Sequence, residues 1–257
     1  MQTDTISRPP VSERKTLGRI PAYIDNTAEE NNGRRIIAVC QHFSYRPLEE
    51  LTCLHIGAAE GVMTEYLAKN FKKVIAADIN AHDLRLGKHL RPVGNIERIC
   101  TDGTNLGLSD VSIDVIICDH IHEKISQQKA FMAEIYRILR YDGFCYFGAF
   151  NKYSIVEQNH RLPFLSWFPR VIAELYMKLA GRKGRYYSRL VSLSNLKDLT
   201  DNFWRQDYTS LIRRNPKAFL SDDIYRPNSP VARFPKRLFK YIYPFLKDWI
   251  WILTKRR

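Results

Sequence analysis

The stretch Leu54-His55-Ile56-Gly57-Ala58-Ala59-Glu60-Gly61 joins an apolar run to an amphipathic one, and it decides the fold of this chain. The run Thr52–Ile56 has the length of a buried strand, and Val62–Phe71 repeats its apolar residues at helical spacing. A turn with glycines between a strand and a helix lets the backbone approach a ligand and directs its amides at it. The stretch therefore predicts a ligand-binding turn at the carboxyl end of a strand.

The alternation of apolar runs and amphipathic stretches continues to about residue 150. Strands that are apolar throughout must be covered on both faces, so the pattern predicts an α/β fold whose parallel sheet lies between two layers of helices. The further predicted strands are Lys73–Ala77, Ile96–Cys100, Ile113–Cys118 and Phe144–Phe150, and the further predicted helices are His82–Leu90 and Gln128–Leu139.

Carboxylates follow the second and third predicted strands, as Asp78 and Asp102. Ligands of an open parallel sheet bind at the carboxyl ends of its strands, where an acid after the second strand can accept hydrogen bonds from two ribose hydroxyls. The turn at Gly57 and the two acids together predict a pocket for a nucleoside-containing ligand at one edge of the sheet.

These segments resemble the class I S-adenosylmethionine-dependent methyltransferases, in particular the type 11 group. HIGAAEG (55–61) is similar to the first motif of that family, AADIN (76–80) to its ribose-binding segment, and CTDGTNLGL (100–108) to its adenine-side segment. DVIICDHIHEKI (114–125) resembles the fourth strand and its loop, and EIYRILRYDGFCYFGAF (134–150) resembles the helix, turn and fifth strand. The resemblance implies a Rossmann-like fold with a mostly parallel seven-stranded sheet, and S-adenosylmethionine as the cofactor.

The resemblance also implies a set of cofactor-binding residues. Two of them depart from the family pattern, because His55 stands in place of an acid and Ala59 in place of a glycine. A neutral imidazole offers no negative charge to an ammonium group, and Ala59 adds a methyl group where the backbone should lie close to the cofactor. The alternative that the chain keeps the fold but binds little cofactor therefore remains. The implied residues are His55, Gly57, Ala59, Gly61, Asp78, Ile79, Asp102, Gly103 and Asp119.

Three histidines are the candidate catalytic residues: His120 and His122 follow the fourth predicted strand, and His160 follows the fifth. Methyl transfer from a sulfonium is an in-line displacement, to which placement of the acceptor contributes most of the acceleration. A hydroxyl acceptor also benefits from a general base that titrates near neutrality, as imidazole does. The alternative for each histidine is a structural role. Asn151 is a further residue expected to face the acceptor, and we identify no set of metal ligands.

The basic charge lies in the second part of the chain. Residues 1–150 hold 18 basic and 19 acidic side chains, whereas residues 151–257 hold 22 and 8. Such an excess favours an anionic partner, either a membrane surface or nucleic acid, over a merely solvated face. The stretch 158–169 (QNHRLPFLSWFP) resembles a segment of bacterial methyltransferases associated with the biosynthesis of cell-surface glycans and lipid-linked saccharides.

Four parts are expected along the chain. They are a flexible segment at 1–33, a cofactor-binding core at 34–150, a cap over the acceptor at 151–193, and a part at 194–257 that completes the sheet and carries a basic, amphipathic insertion. In the last part, the pattern predicts a helix at Asn195–Thr200, a strand near Gln206–Ile212 and a final buried strand at WIWILTK (249–255).

These features predict an enzyme that O-methylates a sugar hydroxyl, or a related group, on a lipid-linked or polymeric cell-envelope acceptor. We expect it in the cytoplasm, where a basic helix within 233–247 contacts the anionic inner face of the membrane. Residues 1–15 have no apolar core, so we expect no signal peptide there, and no apolar run reaches the ~18 residues that span a bilayer. The alternatives are a non-catalytic scaffold and an RNA methyltransferase that uses the basic, aromatic stretch 182–189; we rank nucleic acid below the membrane.

Overall fold

Seven strands form one sheet in the computed structural model, which describes residues 27–157, 160–182, 186, 189–222 and 238–256. The strands are β1 (Thr52–Ile56), β2 (Lys73–Asp78), β3 (Ile96–Cys100), β4 (Ile113–Asp119), β5 (Leu139–Phe150), β6 (Phe203–Asp207) and β7 (Asp248–Lys255). Their order is β3-β2-β1-β4-β5-β7-β6. Neighbours among β1 to β5 are parallel, and β7 runs antiparallel to both β5 and β6. The mostly parallel seven-stranded sheet predicted from the sequence is confirmed.

Helices cover both faces of this sheet. They are α1 (Thr27–Phe43), α2 (Val62–Ala68), α3 (Ala81–Leu90), α4 (Gln128–Ile138), α6 (Leu193–Leu199) and α7 (Tyr208–Arg214). A further helix, α5 (Arg170–Leu179), packs in a separate cluster with Leu165 and Tyr186. Short 3-10 turns lie at Leu48–Glu50, His122–Lys124, Leu165–Trp167, Pro216–Phe219 and Tyr243–Phe245, and a one-turn helix lies at Phe239–Ile242. Among the described helices, none has both the length and the apolar character that crossing a membrane requires.

The core consists of two apolar layers, one on each face of the sheet. Leu54 and Ile56 of β1 pack into the layer beneath α4 and α6, whereas Cys53, the residue before Leu54, packs into the layer beneath α1, α2 and α7. Successive side chains of a strand point to opposite faces, so a strand buried on both faces must be apolar throughout. This is why the short apolar runs of the sequence marked the strands correctly.

The parallel register brings the turns of the site to one edge of the sheet. Ile56 at the end of β1 pairs with Ala77, and Asp78 at the end of β2 pairs with Cys100 at the end of β3. The three segments that follow these strands therefore start side by side.

Two elements differ from the sequence-based expectations. Residues 27–33, assigned above to a flexible segment, are the first turns of α1, while residues 1–26 lie outside the described residues. The strand expected near Gln206–Ile212 is wrong in its second half, because β6 ends at Asp207 and α7 begins at Tyr208. The Asp207 carboxylate accepts a hydrogen bond from the amide of Ser210 and so caps the new helix.

The basic helix expected within 233–247 is described only in part, because residues 233–237 lie outside the described residues. Within the rest, helix is confined to Phe239–Ile242, and Pro244 lies in the 3-10 turn that follows. Phe239 is buried and the Arg213 guanidinium lies 4.1 Å from its ring centroid, so this turn packs against α7. The final strand at WIWILTK is confirmed as part of β7.

Candidate active site

A cavity of about 400 Å³ lies at the carboxyl ends of β1, β2 and β3. Its volume is within the range of small-molecule sites. The loop after β4 closes one side of the cavity, with Ile121 and Lys124 among its lining residues. The structure brings six of the residues singled out from the sequence to this one cavity, namely Gly57, Ala59, Asp78, Ile79, Asp102 and Gly103.

The turn after β1 is hydrogen-bonded to the end of β2. The amides of Gly57 and Ala58 both donate to the carbonyl oxygen of Ala77, at 2.8 and 3.1 Å. Gly57 has a φ of +83°, and a Cβ added there would lie 2.7 Å from Cδ1 of Ile121. A side chain at Gly57 would therefore strain the backbone and clash with the wall of the cavity.

Asp78 is held by two backbone amides at the end of β2. Its Oδ2 accepts a hydrogen bond of 2.9 Å from the amide of Ala59, and its Oδ1 accepts one of 2.8 Å from the amide of Asn80. An ionised carboxylate has about four acceptor positions. Both oxygens of Asp78 therefore keep capacity to accept further hydrogen bonds from a ligand in the cavity.

Ile79 and Asp102 form another part of the cavity. The side chain of Ile79 is 73% exposed, so it presents an apolar surface that the described protein does not cover. The backbone amide and the hydroxyl of Thr104 both donate to Oδ1 of Asp102, and these hydrogen bonds lower the pKa of Asp102. The cavity thus offers an apolar surface beside an ionised acceptor.

His55 and Gly61 do not line the cavity, contrary to the sequence-based assignment. The His55 ring is buried beneath α2, where Nδ1 lies 2.8 Å from the hydroxyl oxygen of Thr64. Burial lowers the pKa of His55 to about 4, although the charges of Asp119 and Asp78 oppose the shift, so the ring is neutral near pH 7. Gly61 adopts a φ of +83° immediately before α2 and shapes the entry into that helix.

A second polar cluster surrounds His120, next to Ile121 of the cavity wall. Nε2 of His120 lies 3.6 Å from Oδ1 of Asp119 and 3.8 Å from Oδ2 of Asp248, and its ring stacks on Phe150 with centroids 3.7 Å apart. His120 also has a φ of +51°, and such backbone outliers often mark functional sites. Its buried Nδ1 has no hydrogen-bond partner among the described residues.

Asp119 belongs to this cluster and does not line the cavity, so its assignment as a cofactor-binding residue stays a prediction. Its Oδ2 accepts a hydrogen bond of 2.6 Å from the amide group of Asn32 on α1. Arg35, one turn further along α1, donates to Oδ1 of Asn32 at 3.2 Å. Asn32 and Asp248 were missed from the sequence because they are distant from the motif segments along the chain.

His122 is enclosed and does not contact the cavity. Its side chain is 1% exposed, its ring lies against Phe147, and Nδ1 is 3.1 Å from Oε2 of the fully buried Glu123. Burial raises the pKa of Glu123, but the contact with His122 and the charge of His120 outweigh this and leave the pKa below its ordinary value. The structure therefore does not support His122 as a base that contacts an acceptor.

His160 and Asn151 also differ from expectation. His160 lies away from the cavity, with Nδ1 3.1 Å from Oε2 of the buried Glu157 and its ring beside Tyr186. Asn151 is fully buried, and its side-chain amide donates to the carbonyl oxygens of Pro244 and Leu246. Asn151 therefore joins the end of β5 to the segment before β7 and does not face an acceptor.

The comparisons with known proteins agree with this geometry. Residues 54–147 match a family described as "Methyltransferase domain", and the match includes all three turns of the cavity. The YcgJ protein from Bacillus subtilis has a similar fold, with a TM-score of 0.53 over 88% of this chain and 99% of that one, at 14% identity. The fold is thus the Rossmann-like fold of the class I methyltransferases.

Two curated relatives are similar in sequence. The "Ubiquinone biosynthesis O-methyltransferase" of Parvibaculum lavamentivorans is 26% identical over 133 residues, 49% of this chain and 51% of the relative. The "Demethylmenaquinone methyltransferase" of Corynebacterium urealyticum is 30% identical over 125 residues, 49% of this chain and 48% of the relative. The chain spans about half the length of the curated relatives it matches. Together with the domain match, they support a class I methyltransferase domain with S-adenosylmethionine as its cofactor.

The residues of the cavity fit this cofactor. Asp78 keeps acceptor capacity for ribose hydroxyls, and Ile79 offers an apolar surface to a flat base beside Asp102. Gly57 leaves the turn without a side chain at the point where Ile121 of the cavity wall lies close to the backbone. The substitution of His55 for the family's acid does not obstruct the cavity, because the ring lies beneath α2.

Proposed function

We propose that this protein is an S-adenosylmethionine-dependent O-methyltransferase whose acceptor is a hydroxyl on a lipid-linked or polymeric cell-envelope saccharide. The observation that carries the methyl transfer is the cavity of the matched domain, where Gly57, Asp78 and Asp102 meet. When bound there, S-adenosylmethionine supplies an electrophilic methyl group on a sulfonium. The reaction takes place, in this proposal, at the cytoplasmic face of the inner membrane.

His120 is the residue best placed to accept the proton of the acceptor hydroxyl. It precedes Ile121, which lines the cavity, and two carboxylates lie within 4 Å of its Nε2. Asp119 and Asp248 would compensate the charge of a proton transferred to the ring, as carboxylates beside catalytic histidines do. Asn32 holds Asp119 in place through a hydrogen bond of 2.6 Å.

A second cavity, of about 320 Å³, supports an anionic acceptor. Lys152, Arg170 and Arg189 line it together with Ser166 and Tyr186, and its lining contains no acidic residue among the described part of the chain. Arginine and lysine side chains are suited to bind phosphate groups. A lipid-linked saccharide that carries a phosphate would therefore find complementary charge in this cavity.

Hydrogen bonds connect the loop that follows β4, which lines the first cavity, to Arg189 of the second. Gln128 connects this loop to the cap, because its side-chain amide donates to the carbonyl oxygens of His122 and Arg189, at 3.1 and 3.0 Å. The amide of Arg189 in turn donates to the carbonyl oxygen of Glu123. An acceptor whose phosphate lies in the second cavity would thus extend toward the first.

A quinone ring is the second candidate acceptor. The observation that favours it is the names of the two curated relatives, both of which refer to quinones. Ring hydroxyls are also oxygen nucleophiles, so His120 would serve the same purpose for them. The RNA alternative rests on a stretch of which residues 183–185, 187 and 188 lie outside the described residues, and no described contact favours it.

Calorimetric titration with S-adenosylmethionine tests the first step of the proposal. Binding in the micromolar range is expected, and no binding at millimolar ligand would favour a scaffold protein that merely keeps the fold. Mass spectrometry of glycolipids, polysaccharides and quinones from cells with and without the gene then tests the acceptor. Loss of one CH₂ mass from a saccharide supports the first candidate, whereas loss from a quinone supports the second and overturns the first.

A further inference from the structure

Helix α5 has an apolar face that the described residues leave uncovered. The residues one, four and eight positions after a given residue lie on the same side of a helix as that residue. The side chains on this side are Val171, Ile172, Leu175 and Leu179, with exposed fractions of 81, 50, 57 and 78%. On the other side, Ala173 and Met177 are fully buried against Leu165 and Tyr186. One face of α5 therefore packs against Leu165 and Tyr186, and the opposite face is exposed.

Aromatic side chains extend this surface on the N-terminal side of α5. Phe164, Trp167 and Phe168 are all more than 40% exposed, and the rings of Phe164 and Trp167 meet edge to face at 5.3 Å. Nε1 of Trp167 donates to the carbonyl oxygen of Ser154, which fixes the indole. Phe164 has a φ of +55°, an uncommon conformation for a bulky residue. Aromatic residues are enriched where a protein meets the membrane–water interface.

Basic residues accompany the apolar surface. Arg170 starts α5 with an ion pair of 3.0 Å to Glu174, and Lys178 and Arg182 lie near its other end. Phe168, Pro169 and Arg170 also line the second cavity, so the apolar surface is continuous with the cations of that cavity. Each basic residue near an anionic leaflet contributes about 1 kcal/mol to binding.

We propose that the surface formed by Phe164, Trp167, Phe168 and the exposed face of α5, here called the docking face, inserts into the interfacial layer of an anionic bilayer. With 10 residues, α5 is about 15 Å long and lies along the surface instead of crossing it. An exposed apolar stripe beside cations is complementary to acyl chains beneath anionic headgroups. This inference is separate from methyl transfer, since it concerns attachment to the membrane through a surface that the cofactor cavity does not include.

Vesicle co-sedimentation tests the docking face on the full chain. Wild-type protein is expected to bind vesicles of phosphatidylcholine and phosphatidylglycerol and to bind pure phosphatidylcholine vesicles weakly. The double substitution Leu175→Glu and Leu179→Glu should lower binding about tenfold or more, because two side chains lose their burial in lipid. Leu90→Glu is the matched control, since Leu90 is 51% exposed at the end of α3 and lies outside the docking face; it should bind as wild type does.

Three outcomes would overturn the proposal. The first is equal binding of the double variant and the control, and the second is equal binding of wild type to neutral and anionic vesicles. The third is a lipid-free dimer that the double variant dissociates, since the face would then join two copies of the chain. Affinity for S-adenosylmethionine, measured on each variant, separates these outcomes from failure of the proposed function, because the docking face contributes no residue to the cofactor cavity.

Discussion

The backbone amide of Ala59 donates a hydrogen bond of 2.9 Å to the carboxylate of Asp78, and this contact joins the turn after β1 to the end of β2. The other oxygen of the same carboxylate accepts from the amide of Asn80, which begins the turn into α3. One side chain thus orders two turns of the cofactor cavity and still has acceptor capacity for a ligand. In the proposed binding mode, the geometry of the cavity and its affinity for the cofactor are therefore coupled through Asp78.

Replacement of Asp78 by Ala should weaken the binding of S-adenosylhomocysteine by about a hundredfold or more. Hydrogen bonds to a charged acceptor contribute about 1.5–3 kcal/mol each, and two ribose hydroxyls would lose theirs. Isothermal titration measures the change, with Asp198→Ala as the control at an exposed acid of α6. Circular dichroism establishes that the variant is folded. Equal affinities of Asp78→Ala and wild type would contradict the placement of the ribose.

Ala59→Gly should leave the protein as stable as wild type or stabilise it by up to about 1 kcal/mol. Ala59 has a φ of +44°, a left-handed conformation that costs a residue with a Cβ about 1–2 kcal/mol, whereas glycine adopts it freely but has greater entropy when unfolded. The control is Ala133→Gly at an exposed position within α4, which should destabilise by about 1 kcal/mol. Urea unfolding measures the change in unfolding free energy of both variants. An equal loss of stability in the two would show that Ala59 is not strained.

Local patterns predicted the part of the site that lies close to the strands. Gly57, Asp78 and Asp102 each follow an apolar run, and the ends of parallel strands meet at one edge, so their proximity followed from the sequence. The side-chain direction of His55 could also have been predicted, because residues two apart in a strand share a face and Cys53 faces the layer beneath α1, α2 and α7. Position in a motif suggested a cofactor contact for His55, but strand alternation places its ring beneath α2.

The cluster around His120 could not be predicted in the same way. Asn32 comes from α1 and Asp248 from the start of β7, and only the tertiary fold brings them to the end of β4. The start of α1 has no apolar period that would predict a helix, because residues 28–32 are mostly polar. The position of β7 between β5 and β6 depends on long-range packing as well.

Burial of neutral His55 should make the protein less stable in acid. The folded state holds the pKa of His55 at about 4, whereas the unfolded chain takes up the proton near the ordinary value of 6.5. The unfolded state therefore binds more protons between these two values, and the stability that neutral His55 contributes above them is lost as the pH falls through this window. The loss amounts to about 3 kcal/mol.

The comparison of wild type with His55→Asn isolates this contribution, since asparagine does not titrate. The difference in unfolding free energy between the two proteins, from urea titrations at several pH values, should shrink as the pH falls from about 7 to about 4. His89→Asn, at an exposed position of α3, is the control for the loss of an imidazole as such. A constant difference for His55→Asn would mean that the His55 ring takes up its proton equally in both states.

Substitution of His120 by Asn should slow methyl transfer by about a hundredfold to ten-thousandfold without changing the affinity for S-adenosylhomocysteine by more than about twofold. Asn is the suitable replacement because it tolerates the φ of +51° found at this position. Incorporation of radiolabelled methyl groups into a lipid extract measures the rate, and titration measures the affinity. A general base also predicts that the variant loses the acidic limb of the pH–rate profile, which a merely structural histidine would leave in place. His89→Asn should match wild type in both measurements, and an unchanged rate in His120→Asn would assign the proton to another acceptor.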